Sequence, residues 1–430
     1  MSFSKKTIRD IDLKGKKVLL RVDFNVPLDD KGHITDDYRI KKSLPTIEYL
    51  LKQNSRIVIC SHLGRPEGRV DSRLSLKPCA KELSKLLAIP VKFVESSTGD
   101  KTSQQVEELK PGEILLLENI RFNPGEELKD KHFTKQLASY GDIFVQDAFG
   151  VVHHGAASVS EVPKIIPGVA GLLLETEVDT IGRAMEDPKR PLMAIIGGSK
   201  ISDKIDVLNR FIDIADIVVV GGAMANTFLL AKGLNIGKSK AEPNEVPLAK
   251  QIIKRAQAKS DDGNFVFYLP QDGVVAKNIA SQTTTRIVDY SANVIANIQA
   301  YPRVAPRESG IVKNDEAILD IGPFSGAFIA GAMQLAGTVV WNGTMGVTET
   351  EAIQGPVGPF AHGTELIIEA MIGEYGNRPF TILGGGDTVA YIEERKLTEC
   401  FNHVSTGGGA SMELMSGKPL PGVEALQDKE

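Results

Sequence analysis

Leu192-Met193-Ala194-Ile195-Ile196-Gly197-Gly198-Ser199-Lys200 decides the fold of this 430-residue chain. Five apolar residues in succession suit a strand buried on both faces. The abrupt change to two glycines, a serine and a lysine suits the carboxyl end of such a strand, where open parallel sheets bind ligands. Working outward, the same design recurs. In the second half it returns at Ile217-Val218-Val219-Val220, Phe265-Val266-Phe267-Tyr268-Leu269, Thr338-Val339-Val340-Trp341 and Phe380-Thr381-Ile382-Leu383. In the first half it returns at Lys17-Val18-Leu19-Leu20-Arg21-Val22, Arg56-Ile57-Val58-Ile59-Cys60, Ile114-Leu115-Leu116-Leu117 and Asp142-Ile143-Phe144-Val145. Helical patterns such as Lys81 to Leu87 and Ile205 to Ile214 lie between the runs and suit crossover helices. Together these predict an α/β protein with parallel sheets covered by helices on both faces.

A chain of this length exceeds one ordinary core, at about 150 residues per domain. The charged, proline-bearing stretch Glu186-Asp187-Pro188-Lys189-Arg190-Pro191 follows a helical pattern from about Glu175 to Met185, so a connecting helix and a domain boundary are predicted there. The segment from Ala276 to Glu316 has little periodicity over Tyr301 to Gly310, and Ile287 to Ile298 mixes strand and helix signals. It reads as a surface excursion. Hydrophobic residues at 42% and charged residues at 24% are the balance of a globular protein. The net charge of −5 argues against a nucleic-acid partner. Cys60, Cys79 and Cys400 show no CxxC spacing, which fits a reducing compartment. With no apolar leader and no span long enough for a bilayer, a cytoplasmic protein without a membrane partner is expected.

In the second half, the turns after the strands are Gly197-Gly198-Ser199-Lys200, Gly221-Gly222-Ala223, Asn342-Gly343-Thr344-Met345-Gly346 and Gly384-Gly385-Gly386-Asp387-Thr388. One such turn is ordinary turn chemistry. Four at one sheet edge, two of them carrying Lys or Asp, point to a nucleotide whose phosphates approach bare backbone and helix N-termini. Lys200 and Lys204, at i and i+4, are predicted on one face of a helix opening after Gly198, either meeting an anion or forming a solvated face with Asp203 and Asp206. Asp387 admits two readings, a helix cap or a ligand of Mg²⁺ on nucleotide phosphates. The string Gly233-Leu234-Asn235-Ile236-Gly237-Lys238-Ser239 is one residue short of a Walker A loop and follows a helix, so it is set aside. No GxGxxG follows a strand, which argues against a dinucleotide dehydrogenase.

In the first half the strand ends carry charge instead. They hold Asp23 and Asn25, then His62, Gly64 and Arg65, then Asn119 and Arg121, then Asp147, His153 and His154, with Arg39 in a segment able to return over the same edge. Arg39, Arg65 and Arg121 are either ordinary surface arginines or a basic cluster, and their shared position favours a small anionic substrate held by bidentate contacts.

Seven strings, taken in order, resemble the phosphoglycerate kinase family: Arg21-Val22-Asp23-Phe24-Asn25-Val26-Pro27, Ser61-His62-Leu63-Gly64-Arg65-Pro66, Glu118-Asn119-Ile120-Arg121-Phe122, Gly197-Gly198-Ser199-Lys200-Ile201-Ser202-Asp203-Lys204, Trp341-Asn342-Gly343, Gly384-Gly385-Gly386-Asp387-Thr388 and Ser405-Thr406-Gly407-Gly408-Gly409-Ala410. The resemblance runs from about residue 5 to the C-terminus. It implies two Rossmann-like domains joined by a hinge helix, with an open cleft between them that closes for transfer. Residues 1–186 are expected to bind 3-phosphoglycerate, residues 187–404 the nucleotide, and residues 405–430 to return to the N-terminal domain. The implied reaction is reversible phosphoryl transfer between 1,3-bisphosphoglycerate and ADP, giving 3-phosphoglycerate and ATP, by a monomer with Mg²⁺. By the resemblance, Asp23, Asn25, Arg39, His62, Arg65 and Arg121 hold the acid. Lys200, Lys204, Asn342, Glu349, Gly384, Gly385, Gly386 and Thr388 surround the nucleotide, Gly221, Gly222 and Gly237 line the adenine pocket, and Asp387 holds the metal. Arg39, Lys204, Gly385 and Gly408 are the implied catalytic positions.

The chain departs from that pattern. His154 and Ala156 stand where the family has Arg and, two residues on, His. His154, counted among the acid-binding residues, carries charge only when protonated, and an unperturbed His titrates near ~6.5. Acid binding is therefore expected to be weaker and to worsen above neutral pH. Phe324-Ser325, Thr344, Thr348, Gln271 and Gly273 also depart, all around the expected nucleotide pocket. The alternative is a nucleotide-binding relative with weak or altered activity on the acid.

Overall fold

A computed structural model describes residues 3–290 and 311–429. The chain divides into two compact units, Met1–Arg183 with Gly409–Glu430, and Ala184–Gly408.

The first unit runs β1 (Lys17–Arg21), α1 (Tyr38–Lys52), β2 (Arg56–Cys60), α2 (Lys77–Leu87), β3 (Val91–Val94), α3 (Asp100–Glu107), β4 (Ile114–Leu117), α4 (Gly125–Leu128), α5 (Lys131–Ala138), β5 (Ile143–Gln146), β6 (Gly168–Ala170) and α6 (Leu172–Glu186). Its strands form one parallel sheet in the order β3-β4-β2-β1-β5-β6. Leu20, Ile57, Ile59, Leu116 and Val145 are fully buried in its core. The apolar runs thus form strands because both faces of the sheet are covered. β3 and β6, at the two edges, escape the sequence reading. Val91-Lys92-Phe93-Val94 exposes its lysine and buries only Val94, and β6 has just three residues. From β1 the chain leaves first toward β2 and later returns on the other side at β5. The ends of β1 and β5 therefore flank a switch point, where such sheets take ligands.

The second unit runs β7 (Leu192–Ile196), α7 (Ile205–Ile214), β8 (Ile217–Val220), α8 (Gly222–Ala231), α9 (Val246–Asp262), β9 (Val266–Tyr268), β10 (Asp272–Ala276), β11 (Arg286–Asp289), β12 (Ala317–Ile321), α10 (Pro323–Met333), β13 (Thr338–Asn342), α11 (His362–Ile372), β14 (Phe380–Gly384), α12 (Gly386–Glu394) and β15 (His403–Val404). Its parallel sheet has the order β15-β14-β13-β7-β8-β9, with the switch point between β7 and β13. A second sheet, β11-β10-β12, is antiparallel.

That second sheet corrects the surface-excursion reading of 276–316. Arg286–Asp289 is a strand paired with β10, and Val288 and Val312 are buried against Val275. The signal was missed because these strands mix polar with apolar residues, as in Arg286-Ile287-Val288-Asp289, and none is a continuous apolar run. The remainder of the Ile287 to Ile298 reading, and Tyr301 to Gly310, lies outside the described residues. Of the departing positions, Gln271 adjoins β10 and Gly273 lies within it. The last helices, α13 (Gly409–Met415) and α14 (Pro421–Glu424), belong to the first unit. Gly422 N–H donates to the Val152 carbonyl at 2.8 Å, and Lys5 pairs with Asp428 at 2.7 Å. Among the described residues no helix is long and apolar enough to cross a membrane.

The chain leaves the first unit along α6, whose start is capped by a buried carboxylate. Asp147 Oδ1 accepts from Leu173 N–H at 2.9 Å and Leu174 N–H at 3.2 Å. Gly171 is required beside it, because a Cβ there would lie 2.1 Å from that oxygen. Burial pushes the Asp147 carboxyl up to about 7, against the pull of these donors. The folded state thus holds a proton that the unfolded chain releases near pH 4, so this group's contribution to stability declines as pH rises from about 4 to about 7. Asp147→Asn keeps the accepting oxygen and cannot ionise. Urea unfolding should show the wild type losing on the order of 1–4 kcal/mol relative to Asp147→Asn across that window. A constant difference between the two proteins would refute the assignment.

Candidate functional site

In the first unit, charge is gathered at the end of β1. Arg21, its last residue, is buried. Its Nε donates to Ser158 Oγ at 2.9 Å, and its guanidinium also bonds the Val22 carbonyl. Ser158 in turn donates through Oγ (2.6 Å) and N–H (2.9 Å) to the buried Glu126. Arg21 Nη2 lies 3.3 Å from His62 Nδ1. Burial, helped by Arg21, Arg121 and Arg39 and opposed by Asp23, holds His62 well below its usual range. A neutral imidazole that accepts at Nδ1 carries its proton on Nε2, which is then a donor. Asp23 is paired with Arg39, at the first turn of α1. Burial would raise the Asp23 carboxyl, but the Arg39 and Arg21 guanidinium charges hold it below the carboxylate range. Asn25 is fixed by Gly64 N–H, which donates to its Oδ1 at 2.8 Å. Arg121 Nη1 donates to the Gly64 carbonyl at 2.9 Å.

The structure therefore brings Asp23, Asn25, Arg39, His62 and Arg121 to one place. Arg65 follows the same turn but is exposed and makes no hydrogen bond or ion pair among the described residues. His154 is exposed, with its ring 3.7 Å from that of His153. His153 Nδ1 is buried without a partner among the described residues, and burial followed by His154 lowers this ring to about 4. Sequence reasoning missed Arg21 as a structural centre. The available signal was a lone charge ending an otherwise apolar strand.

In the second unit the groups gather where β7 and β13 end side by side. Gly197 N–H donates to the Asn342 carbonyl at 2.9 Å. A Cβ at Gly197 would lie 2.2 Å from the Thr344 carbonyl, and one at Gly343 would lie 2.3 Å from the Gly197 carbonyl. Over this bare contact lies Lys204, whose Nζ donates to Asn342 Oδ1 at 2.6 Å and to its carbonyl at 3.0 Å. Burial lowers the Lys204 ammonium to about 8, while Asp387 and Asp203 oppose the shift. The Asn342 amide Nδ2 is buried and has no partner among the described residues. Thr388 Oγ1 accepts from Gly343 N–H at 2.8 Å and ties α12 to the same turn. Gly385, at φ +91°, stands 3.0 Å (as a Cβ position) from Asn342 Oδ1 and caps α12. Gly384 ends β14 and Gly386 opens α12, while Gly408, at φ +50°, is the last residue of this unit.

The helical placement of Lys200 and Lys204 is not realised. α7 starts at Ile205, with Lys204 as its cap residue and Lys200 in an exposed turn. The Glu242 carboxylate accepts from Ile201 N–H (2.6 Å) and Ser202 Oγ (2.8 Å) and so holds this stretch off the helix. The two readings of Asp387 also separate. Gly385 is the cap residue of α12, and Asp387 makes no hydrogen bond among the described residues, leaving its exposed carboxylate open to a cation.

Beside these turns lies a cavity of about 350 Å³, lined by Gly198, Gly222, Ile318, Val347, Glu349 and Asp387 among others. Gly221 backs onto Met345, and Gly237 packs against the Lys313 and Glu316 carbonyls, so neither is among the lining residues. Two buried aspartates that the sequence reading passed over form the inner wall. Asp272 accepts from Phe324 N–H (3.0 Å) and Ser325 N–H (2.8 Å) and caps α10. Asp320 accepts from Gly363 N–H at 2.8 Å in the first turn of α11, and burial pushes its carboxyl up to about 8.

This arrangement gathers guanidinium groups at the strand ends of the first unit and sets an ammonium beside a glycine-lined cavity in the second. The family model described as phosphoglycerate kinase matches residues 8–418. The chain is 46% identical over 429 residues to phosphoglycerate kinase of Chloroflexus aurantiacus, covering 99% of this chain and 100% of that protein. It is 45% identical over 426 residues to that of Moorella thermoacetica, with the same coverage. Among solved structures, phosphoglycerate kinase from Coxiella burnetii superposes with a TM-score of 0.80 at 36% identity, over 98% of each chain. Sequence, architecture and site geometry agree, and the chain belongs to the phosphoglycerate kinase family, phosphotransferases with a carboxyl group as acceptor.

Proposed function

We propose that the first unit binds 3-phosphoglycerate or 1,3-bisphosphoglycerate and that the cavity of the second unit binds ADP or ATP with Mg²⁺, in a monomeric cytoplasmic enzyme. The observation that carries this reading is Lys204. A half-buried ammonium held on Asn342 above two touching glycine turns is costly unless an anion joins it. The phosphate chain supplies that anion.

No general base is needed. The acceptor is a carboxylate, already ionised at neutral pH because such groups titrate near ~4. What the chain must provide is position and charge. Asp23 sets the Arg39 guanidinium for the acid, and neutral His62 offers its Nε2 proton to an acceptor oxygen. Lys204 faces the transferring phosphoryl group, and the unpartnered Asn342 amide gives a further donor toward phosphate oxygens. Asp387 would hold Mg²⁺, which usually takes one or two carboxylates and completes its shell with substrate oxygens. When bound, the ion neutralises phosphate charge. Transfer also requires donor and acceptor atoms to meet, so the cycle includes a step in which the two units bring their ligands together.

Steady-state turnover with Mg-ATP should require 3-phosphoglycerate. ATP binding without acid-dependent ADP formation would reject this reading in favour of a binding protein. Lys204→Ala should lower kcat by about 10²–10³-fold, and wild-type kcat should fall above about pH 8 as the Lys204 ammonium loses its proton. The acid site carries its own expectation. His154→Arg, which puts a permanent charge in that position, should lower the KM for 3-phosphoglycerate. An unchanged KM in His154→Arg would remove His154 from the acid site.

A further inference from the structure

Most polar groups on the inner wall of the second unit's cavity are already satisfied. Asp272 is taken by the start of α10, and Asp320 by Ile321 and Gly363 N–H. The Asn226 amide donates to the Lys240 carbonyl at 3.0 Å. Tyr290 is the exception. Its ring lines the cavity, yet its hydroxyl is buried and has no hydrogen-bond partner among the described residues. The space that holds the hydroxyl exists because residue 273 is glycine, since a Cβ there would lie 2.1 Å from Tyr290 Oη. The next contact of that Cβ position is Ile318 Cγ2 at 3.1 Å, and Ile318 also lines the cavity. The polar atom thus stands over bare backbone beside an apolar side chain. It follows β11 in the antiparallel sheet, whereas the touching glycine turns proposed for the phosphates follow β7 and β13.

We infer that Tyr290, seated over Gly273, is a specificity-determining residue that hydrogen-bonds the edge of the nucleotide base. The inference rests on assigning this cavity to the nucleotide. A phenol hydroxyl both donates and accepts, so it pairs with a ring nitrogen or an exocyclic amine of a purine. One such bond, on a wall whose other buried polar groups are already satisfied, fixes the base's orientation and penalises ligands that leave it unmade. Without ligand the same hydroxyl is a desolvated group with no partner among the described residues, which costs stability.

The test compares ADP with ribose 5-diphosphate, which lacks the base, by titration calorimetry on the full chain. Tyr290→Phe should weaken ADP binding about 5–10-fold, leave ribose 5-diphosphate unchanged, raise the nucleotide KM and spare kcat. The ligand-free variant should melt no lower than wild type, because a buried unpaired oxygen has been removed. That opposite movement of stability and affinity is not what a purely structural tyrosine gives. Gly273→Ala, whose new methyl displaces the hydroxyl, should repeat the ADP-selective loss. Equal ADP affinity in wild type and Tyr290→Phe, or an equal loss for ribose 5-diphosphate, would overturn the inference while leaving the cavity assignment intact. Failure of the wild type to bind ADP would remove the cavity assignment, and this inference with it.

Discussion

Two turns that touch backbone to backbone govern the second unit. Where β7 and β13 end, Gly197 and Gly343 meet so closely that a single Cβ on either would collide with a carbonyl. That approach places the Asn342 carbonyl and side chain under Lys204, and Gly343 N–H against Thr388. One contact between glycines therefore sets the ammonium, the amide and the start of α12 relative to one another. Polypeptide rarely allows such proximity, because every other residue type brings an atom into the gap. The β7–β13 switch point is where the sheet's topology leaves room for it.

The first unit is built by the opposite route. Its strand ends carry charged and polar side chains, several of them buried. Hydrogen bonds run from Glu126 through Ser158 to Arg21 and on to His62, while the Arg21 charge and the Arg39 ion pair both act on the Asp23 carboxylate. Burying such charges costs several kcal/mol per ion unless partners are well placed. The partners here hold one another, so Arg39 is oriented before any ligand arrives. Preorganised charge of this kind needs little rearrangement during transfer. Backbone donors and a lysine suit a phosphate chain, whereas fixed guanidinium groups suit the carboxylate and phosphate of a small acid.

Much of this was legible in sequence. Leu192–Ile196 and Ile217–Val220 coincide with β7 and β8, and Ile205–Ile214 coincides with α7, since long periodic signals survive any tertiary context. The antiparallel sheet was not legible. Its strands β10, β11 and β12 carry polar residues or glycine within them, and pairing such as Gly273 with Val288 joins segments whose patterns mean little alone. The paired lysines show a different failure. Their spacing matched a helix, but the Glu242 carboxylate, some 40 positions away, holds Ile201 and Ser202 outside α7.

By itself the sequence determined the α/β class, the two sets of strand ends and the family, because apolar runs, glycine turns and ordered motifs are local properties of the chain. Only the tertiary structure decided that Asp387 does not cap its helix, that Arg21 is buried among the charged groups at the end of β1, and that the Tyr290 hydroxyl over Gly273 has no partner among the described residues. Each of these depends on what lies opposite a side chain in space. Desolvation and hydrogen bonding are set by that neighbour and not by sequence position.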